Sequence, residues 1–314
     1  TQIVHIHTGG TMKETAPQLT EALKHHFRDS VSKHDAFPVA TYNELMKIVA
    51  ELSYLNRDNL LFFRGQTRDH KNKAGATTLY PSLYRKNVIS KAKLEYDFTV
   101  LKEISALLIG ETKKYDRRAA DEIRRKHYIQ WALIQHYEVH ETPLLDVTQS
   151  LRVACSFAQS SEESNEKSAE AFVYVLGLPY MPNGISINSE QEIVNIRLLS
   201  VCPPLALRPY FQEGFLVGTT DITDNYDDKN ELDFNRRLIA KFAIPDNAAF
   251  WNGNLHKIPE DLLFLDETND TMHKICASIH GAVLQAEQML FDDSEYSREV
   301  DELTMKLRKG LNKK

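Results

Sequence analysis

Leu60-Leu61-Phe62-Phe63 is an unbroken apolar run, and it delivers Arg64-Gly65-Gln66 at its end. A run of this kind is strand-like. An arginine at a strand end, followed by a glycine that lets backbone come close, suits an anionic ligand such as a phosphate. About eighty positions on, Leu144-Leu145-Asp146-Val147-Thr148-Gln149-Ser150 leads into Leu151-Arg152-Val153-Ala154-Cys155-Ser156-Phe157-Ala158. This second stretch reads as a turn, bearing a carboxylate and a hydroxyl, that feeds a helix N-terminus and so offers another anion-friendly element. Each alone is weak; together the two outline a nucleotide pocket.

Around them the pattern is helices first, strands in the middle, helices last. Thr41 and Glu44 form a capping-box signature ahead of Leu45, Ile48, Val49, Leu52 and Leu55 at helical spacing. Leu94, Phe98, Leu101, Ile104 and Leu108 share one helix face, and Ile123, Trp131, Ile134 and Tyr137 are read as a second helix. Strands are expected at 171–178, 193–201, 214–219 and 238–244, the first bounded by Pro179 and Pro182-Asn183-Gly184. Met272, Ile275, Cys276, Ile279 and Val283 mark a helix over 269–290, and a charged helix carrying Val300, Leu303 and Leu307 is expected over 292–314. This order predicts an α+β chain. Its divisions are an N-terminal extension at 1–40, a main domain at 41–265 and a C-terminal helical extension at 266–314.

Composition excludes several classes. A hydrophobic share of 42% and a charged share of 26% are those of an ordinary globular chain, and a net charge of −6 does not suit a nonspecific polyanion binder. Cys155, Cys202 and Cys276 show no paired spacing, and Cys155 and Cys276 fall on apolar helical faces, so buried reduced thiols there and a cytoplasmic location are expected. No run of 18 apolar residues occurs, so no membrane partner is expected. His136 and His140 lack the glutamate placement of a zinc helix, and the acidic stretch 224–233 lacks calcium-loop alternation, so no metal is expected. Phosphate-loop, nucleophile-elbow and dinucleotide glycine motifs do not occur.

Phe63-Arg64-Gly65 is followed by Tyr80-Pro81-Ser82-Leu83-Tyr84-Arg85, Gln135-His136-Tyr137 and Thr142-Pro143-Leu144-Leu145-Asp146-Val147-Thr148. Ala154 to Ala158, then Arg208-Pro209-Tyr210-Phe211-Gln212-Glu213-Gly214-Phe215 and the strand Leu238–Pro245, complete the series. This ordered set resembles the FRG domain family over roughly residues 41 to 265. Two positions depart from it: Glu138 stands where family members usually have glycine, and Val147 where they tend to have tryptophan. Glutamate adopts positive φ poorly, so the turn at 138 is the position most affected.

The same string is distantly similar to the ADP-ribosyltransferase plan, with Arg64-Gly65 in the first slot and Asp146-Val147-Thr148 with the following helix in the second. What the resemblance implies is a split, mostly antiparallel sheet flanked by helices, with its cleft between the Arg64 strand and the Asp146–Thr148 turn. It implies an NAD-using enzyme that modifies a protein or nucleic-acid target, in the setting of a bacterial toxin or anti-phage effector. Arg64, Thr148, Gln212 and Glu213 would serve catalysis, and Arg64, Gly65, Gln66, Tyr84, Arg85, Gln135, His136 and Asp146 would hold NAD. The third slot is open among Gln212, Glu213 and the upstream Glu192. The alternative is a noncatalytic nucleotide- or nucleic-acid-binding module using the same cleft. A partner protein docking on the C-terminal helices is a further expectation. Bland readings stand beside these: Arg64 paired with Asp146, Gln135 and His136 capping a helix end, and Tyr80 and Tyr84 as core.

Overall fold

The structure, a computed structural model, describes residues 12–86, 91–160, 169–220, 229–253 and 255–290. The expected helix over 292–314 lies outside them, as do residues 1–11 and the first half of the acidic stretch 224–233.

Leu60–Gln66 is a strand, β2, after the short edge strand β1 at Phe37–Pro38. The others are β3 (Leu145–Thr148), β4 (Glu170–Leu178), β5 (Ile185–Asn188), β6 (Ile193–Arg197), β7 (Gly214–Thr219) and β8 (Leu238–Pro245). They form one eight-stranded sheet in the order β1-β8-β4-β2-β3-β7-β6-β5. Every pairing is antiparallel except that of β1 with β8.

The sheet is nearly two sheets. β2 pairs with β4 along its whole length, from Leu60↔Leu178 to Gln66↔Phe172. β3 likewise pairs throughout with β7. Between β2 and β3 there is one registered pair, Phe63↔Thr148. Past that rung the ladder is replaced by a side chain: the Arg64 guanidinium donates to the Asp146 carbonyl oxygen at 2.7 Å. A backbone carbonyl left without its ladder partner needs another donor, and the arginine supplies one. The split lies where the sequence brings its first arginine motif to the middle of the sheet.

Ten α-helices surround the strands among the described residues. They are α1 (Glu21–Phe27), α2 (Tyr42–Leu55), α3 (Lys91–Tyr115), α4 (Arg117–Arg124), α5 (His127–His136), α6 (Leu151–Ala158), α7 (Leu198–Val201), α8 (Arg208–Gln212), α9 (Glu260–Leu263) and α10 (Thr271–Leu290). The α2 cap forms as expected, Thr41 Oγ1 accepting from Glu44 N at 3.2 Å. The Glu44 carboxylate reaches back one residue further than a capping box prescribes, to the Ala40 amide at 3.0 Å. One core cluster joins α1, α2 and α6 to the sheet through residues such as Phe27, Leu45, Phe62, Ala154, Val175 and Phe242. A second joins α3, α5 and α10 through Leu101, Ile104, Leu133, Met272, Ile275 and Ile279.

The fold is the expected α+β, with several local differences. The stretch 193–201 is a strand only to Arg197 and then turns into α7. The helix expected through Ile123 and Tyr137 is two helices, because Asp116 caps α4 and the chain reopens at Lys126, which is extended at φ −144°. Asp146–Thr148 is a strand rather than a turn; Leu145 and Val147 alternate into the core and hold it in the sheet. The apolar face of α10 is covered by α3 and its neighbours, so over 271–283 this face is internal packing. None of the described helices is long and apolar enough to cross a membrane.

Candidate functional site

A cavity of about 430 Å³ opens at the split between β2 and β3. It is lined by Phe63 to Gln66 from β2, by Asp146 to Thr148 from β3, by Gln135, His136 and Glu138 at the end of α5, and by Ala154 and Phe157 on α6. Ser160, Arg208, Gln212, Gly214 and Phe264 complete the wall. Arg64 and Thr148, 84 positions apart, therefore face one hollow. The size falls in the range of about 300–1,000 Å³ found for small-ligand clefts.

Gly65 is where the arginine strand meets α6. A Cβ at this position would overlap the Ala154 carbonyl oxygen and lie 2.7 Å from the Ala158 amide nitrogen. Only a glycine lets the helix backbone rest on the strand, which sets the depth of the cavity floor.

Asp146 is fixed by the motifs that surround it in the sequence. Gln135 Nε2 donates to its Oδ2 at 2.9 Å, and His136 Nδ1 lies 3.4 Å from its Oδ1. The other end of the Gln135 amide accepts from the Ser82 hydroxyl at 2.9 Å and from Thr142 Oγ1 at 2.6 Å. The Tyr-Pro-Ser, Gln-His-Tyr and Thr-Pro stretches are thus one hydrogen-bonded frame around a carboxylate. Burial works to raise the Asp146 carboxyl, but the hydrogen bond and charge of His136, the charge of Arg64 and the Gln135 hydrogen bond outweigh it and hold it below the usual range. Among the described residues the Asp146 carboxylate faces His136, and the Arg64 guanidinium takes the Asp146 carbonyl oxygen.

The structure places several of the expected features in other surroundings. The Thr148 hydroxyl donates to the carbonyls of Gln212 and Glu213, at 3.0 and 3.1 Å, and accepts from Ser150 N at 3.0 Å, so it ties β3 to α8 while lining the cavity. Tyr84 is buried with Leu83, Leu94 and Leu232 in a separate cluster, and Arg85 is exposed with its Nε donating to Tyr80 O; neither lines the cavity. Glu213, in left-handed backbone at φ 44°, is exposed and also absent from the lining. The helix start is not the anion site either: Ser150 caps α6, and the cavity meets this helix at Ala154 and Phe157.

The third slot resolves no better among its candidates. Gln212 lines the cavity, but its amide donates to Leu263 O at 2.7 Å. Glu192 lies outside the lining and accepts from the Thr220 hydroxyl.

Two residues given no site role from the sequence now matter. Arg208 is buried, donates through Nη1 to His136 O at 3.0 Å, and stands over the rings of Tyr137 and Phe264. Its buried Nε has no hydrogen-bond partner among the described residues. Glu138 follows α5 at φ 56°. Its amide donates to Gln135 O at 3.0 Å and the Val139 amide to Ile134 O at 2.9 Å, the two bonds of a Schellman C-cap in which glycine is the usual left-handed residue. The Arg-Pro-Tyr-Phe-Gln-Glu-Gly-Phe string was the signal for Arg208, but an arginine before proline gives no hint of burial. The signal for Glu138 was its replacement of a glycine.

No curated protein matches this chain, and no solved structure matches it. The family model for the FRG domain matches residues 59–167, a stretch that includes β2, the Gln135–Asp146 frame and α6, while Arg208 and Gln212 lie beyond it. The arginine strand, the glycine under α6 and the frame around Asp146 all lie within this stretch, and residues 59–167 carry the match to the FRG domain.

Proposed function

We propose that the cleft binds a phosphorylated nucleotide of the NAD class and that the chain is an ADP-ribosyltransferase-like enzyme acting on a protein or nucleic-acid target. The observation that carries this reading is the shared cavity at the sheet split, with Arg64 and the Asp146 segment on facing strands. Two guanidinium groups, Arg64 and Arg208, would grip the pyrophosphate; the rings of Phe63, Phe157 and Phe264 suit flat heterocycles.

In such a reaction the bond between the ribose C1′ and the nicotinamide nitrogen breaks, and its electron pair leaves with neutral nicotinamide. The acceptor's lone pair forms the new bond to C1′, and its proton passes to a base. Charge develops on the sugar, so a carboxylate nearby favours the transition state. Asp146, held ionised by its frame, contributes to that field.

Incubating the full chain with labelled NAD and a cell lysate tests the reading. Label transfer by the wild type and its loss in Arg64→Ala is the expected result. Equal labelling by both proteins sinks the site assignment. The second reading, a noncatalytic nucleotide-binding module, is favoured by the neutral Gln212 in the third slot; binding by calorimetry without nicotinamide release identifies it.

A further inference from the structure

We infer that Glu138 is the carboxylate that takes the acceptor's proton at this cleft, an inference that rests on the proposed transfer reaction and goes beyond it by naming its base. The reaction needs a carboxylate that reaches the reacting sugar. Among the described residues only Asp146 and Glu138 bring one to the cavity wall. Asp146 is a poor proton acceptor, since both of its oxygens are engaged by Gln135 and His136 and its carboxyl is held below the usual range. Gln212 has no carboxylate, and Glu213 and Glu192 do not line the cavity.

The backbone at Glu138 adds an independent argument. A side-chain-bearing residue in left-handed conformation costs about 1 kcal/mol relative to glycine. Glu138 holds that conformation at the closing turn of α5, where glycine would serve the cap without strain. Strain retained at a cavity wall points to a use for the side chain it carries. Glu213 and Glu192 share the positive φ, so the strain alone decides nothing; its coincidence with the cavity does.

In the step assigned to it, the acceptor is a hydroxyl or amine of the target, or water. The acceptor's lone pair bonds to C1′, the C1′–nitrogen bond breaks with its pair going to nicotinamide, and the acceptor's proton moves to a Glu138 oxygen. No oxidant or reductant is involved.

The test compares wild type, Glu138→Gln and Glu138→Gly as full chains, measuring nicotinamide release from NAD and calorimetric binding of ADP-ribose. Both variants should lose release by about 100-fold or more, the usual worth of a general base, while ADP-ribose affinity changes by less than about threefold. Glu138→Gly should fold at least as stably as wild type, which separates lost chemistry from lost structure. Release by Glu138→Gln within about threefold of wild type overturns the assignment and leaves the proposed function standing. A wild type that binds ADP-ribose without releasing nicotinamide, or binds nothing, overturns both.

Discussion

The Ala154 carbonyl oxygen of α6 occupies the place that a Cβ on Gly65 would need. The contact is backbone on backbone, so neither partner can rotate away, and relief requires lifting the helix from β2. Gly65→Ala is expected to destabilise the fold by about 2–4 kcal/mol, at or above the usual range for overpacking. Urea unfolding monitored by circular dichroism would show it as a lower midpoint with unchanged slope. A variant as stable as wild type would mean that α6 does not rest on this strand.

Glu138→Gly is expected to do the opposite. The left-handed cap position releases about 1 kcal/mol of backbone strain, partly offset by the greater freedom of glycine in the unfolded chain, for a net gain of a few tenths to about 1 kcal/mol. Thermal unfolding should show a rise of a few degrees at most, roughly in proportion for a chain of this size. A drop in the midpoint would show that the Glu138 side chain stabilises more than its backbone strains.

Thr148 separates structural from catalytic readings of the β3 end. Thr148→Val keeps the shape but removes the hydroxyl that bridges Gln212 O, Glu213 O and Ser150 N. The expected loss is about 1–3 kcal/mol, because the buried Gln212 carbonyl, the part-buried Glu213 carbonyl and an amide lose a partner. Thr148→Ser should recover most of it. If instead Thr148→Val leaves stability untouched and abolishes ligand binding, the hydroxyl faces the ligand after all.

How much of this was readable beforehand depends on what each residue's neighbours in sequence could report. Leu60–Phe63 and Ala171–Leu178 were legible because each is a continuous apolar run, as a strand with little access to water is. The α2 start was legible because a cap is a local interaction, carried by Thr41 and Glu44. β3 was missed: Asp146, Thr148, Gln149 and Ser150 are turn residues by type, and only Leu145 and Val147, packed in the core, override them. The network Ser82–Gln135–Thr142–Asp146 spans 65 positions, so no window shows that these separate motifs hold one carboxylate. Tyr84 and Arg85 sit beside Ser82 in sequence, yet only Ser82 joins the frame; adjacency misled there. Burial of Arg208 depends on Tyr137, Phe264 and His136, none of them near it in the chain.

Asp233 gives the fold a pH dependence whose sign can be worked out. Burial pushes its carboxyl from 3.8 up to about 6, against hydrogen bonds from the Asn235 and Leu79 amides and the Tyr80 hydroxyl and the charge of Lys229. The folded state therefore holds the proton more tightly than the unfolded chain. The contribution of this group is most favourable below pH 3.8 and is lost as pH rises through about 6. Asp233→Asn keeps an oxygen to accept from Leu79 N and Asn235 N but does not titrate. Between about pH 4.5 and 7 the wild type should lose about 2 kcal/mol relative to this variant in chemical denaturation. A difference that does not change with pH would contradict the buried charge.

Arg64 and Arg208 make unequal demands on their side chains, and replacing each by lysine should expose the difference. Arg64 donates one N–H to the Asp146 carbonyl while lining the cavity, a double duty that the planar fork of a guanidinium allows and a single ammonium performs poorly. Arg208 lies over two aromatic rings and inside the protein, where lysine would lose both the stacking and the fit. Arg64→Lys is expected to weaken ADP-ribose binding by about 10- to 100-fold, the worth of one charged hydrogen bond, with little change in stability. Arg208→Lys should weaken binding and also destabilise the fold by about 1–3 kcal/mol, since its bond to His136 O and its ring contacts are lost together. Calorimetry at two salt concentrations with parallel urea unfolding separates the two effects. Should Arg64→Lys bind ADP-ribose as tightly as wild type, the arginine serves only to close the gap between β2 and β3, and the anion grip at this cleft would have to come from Arg208 alone.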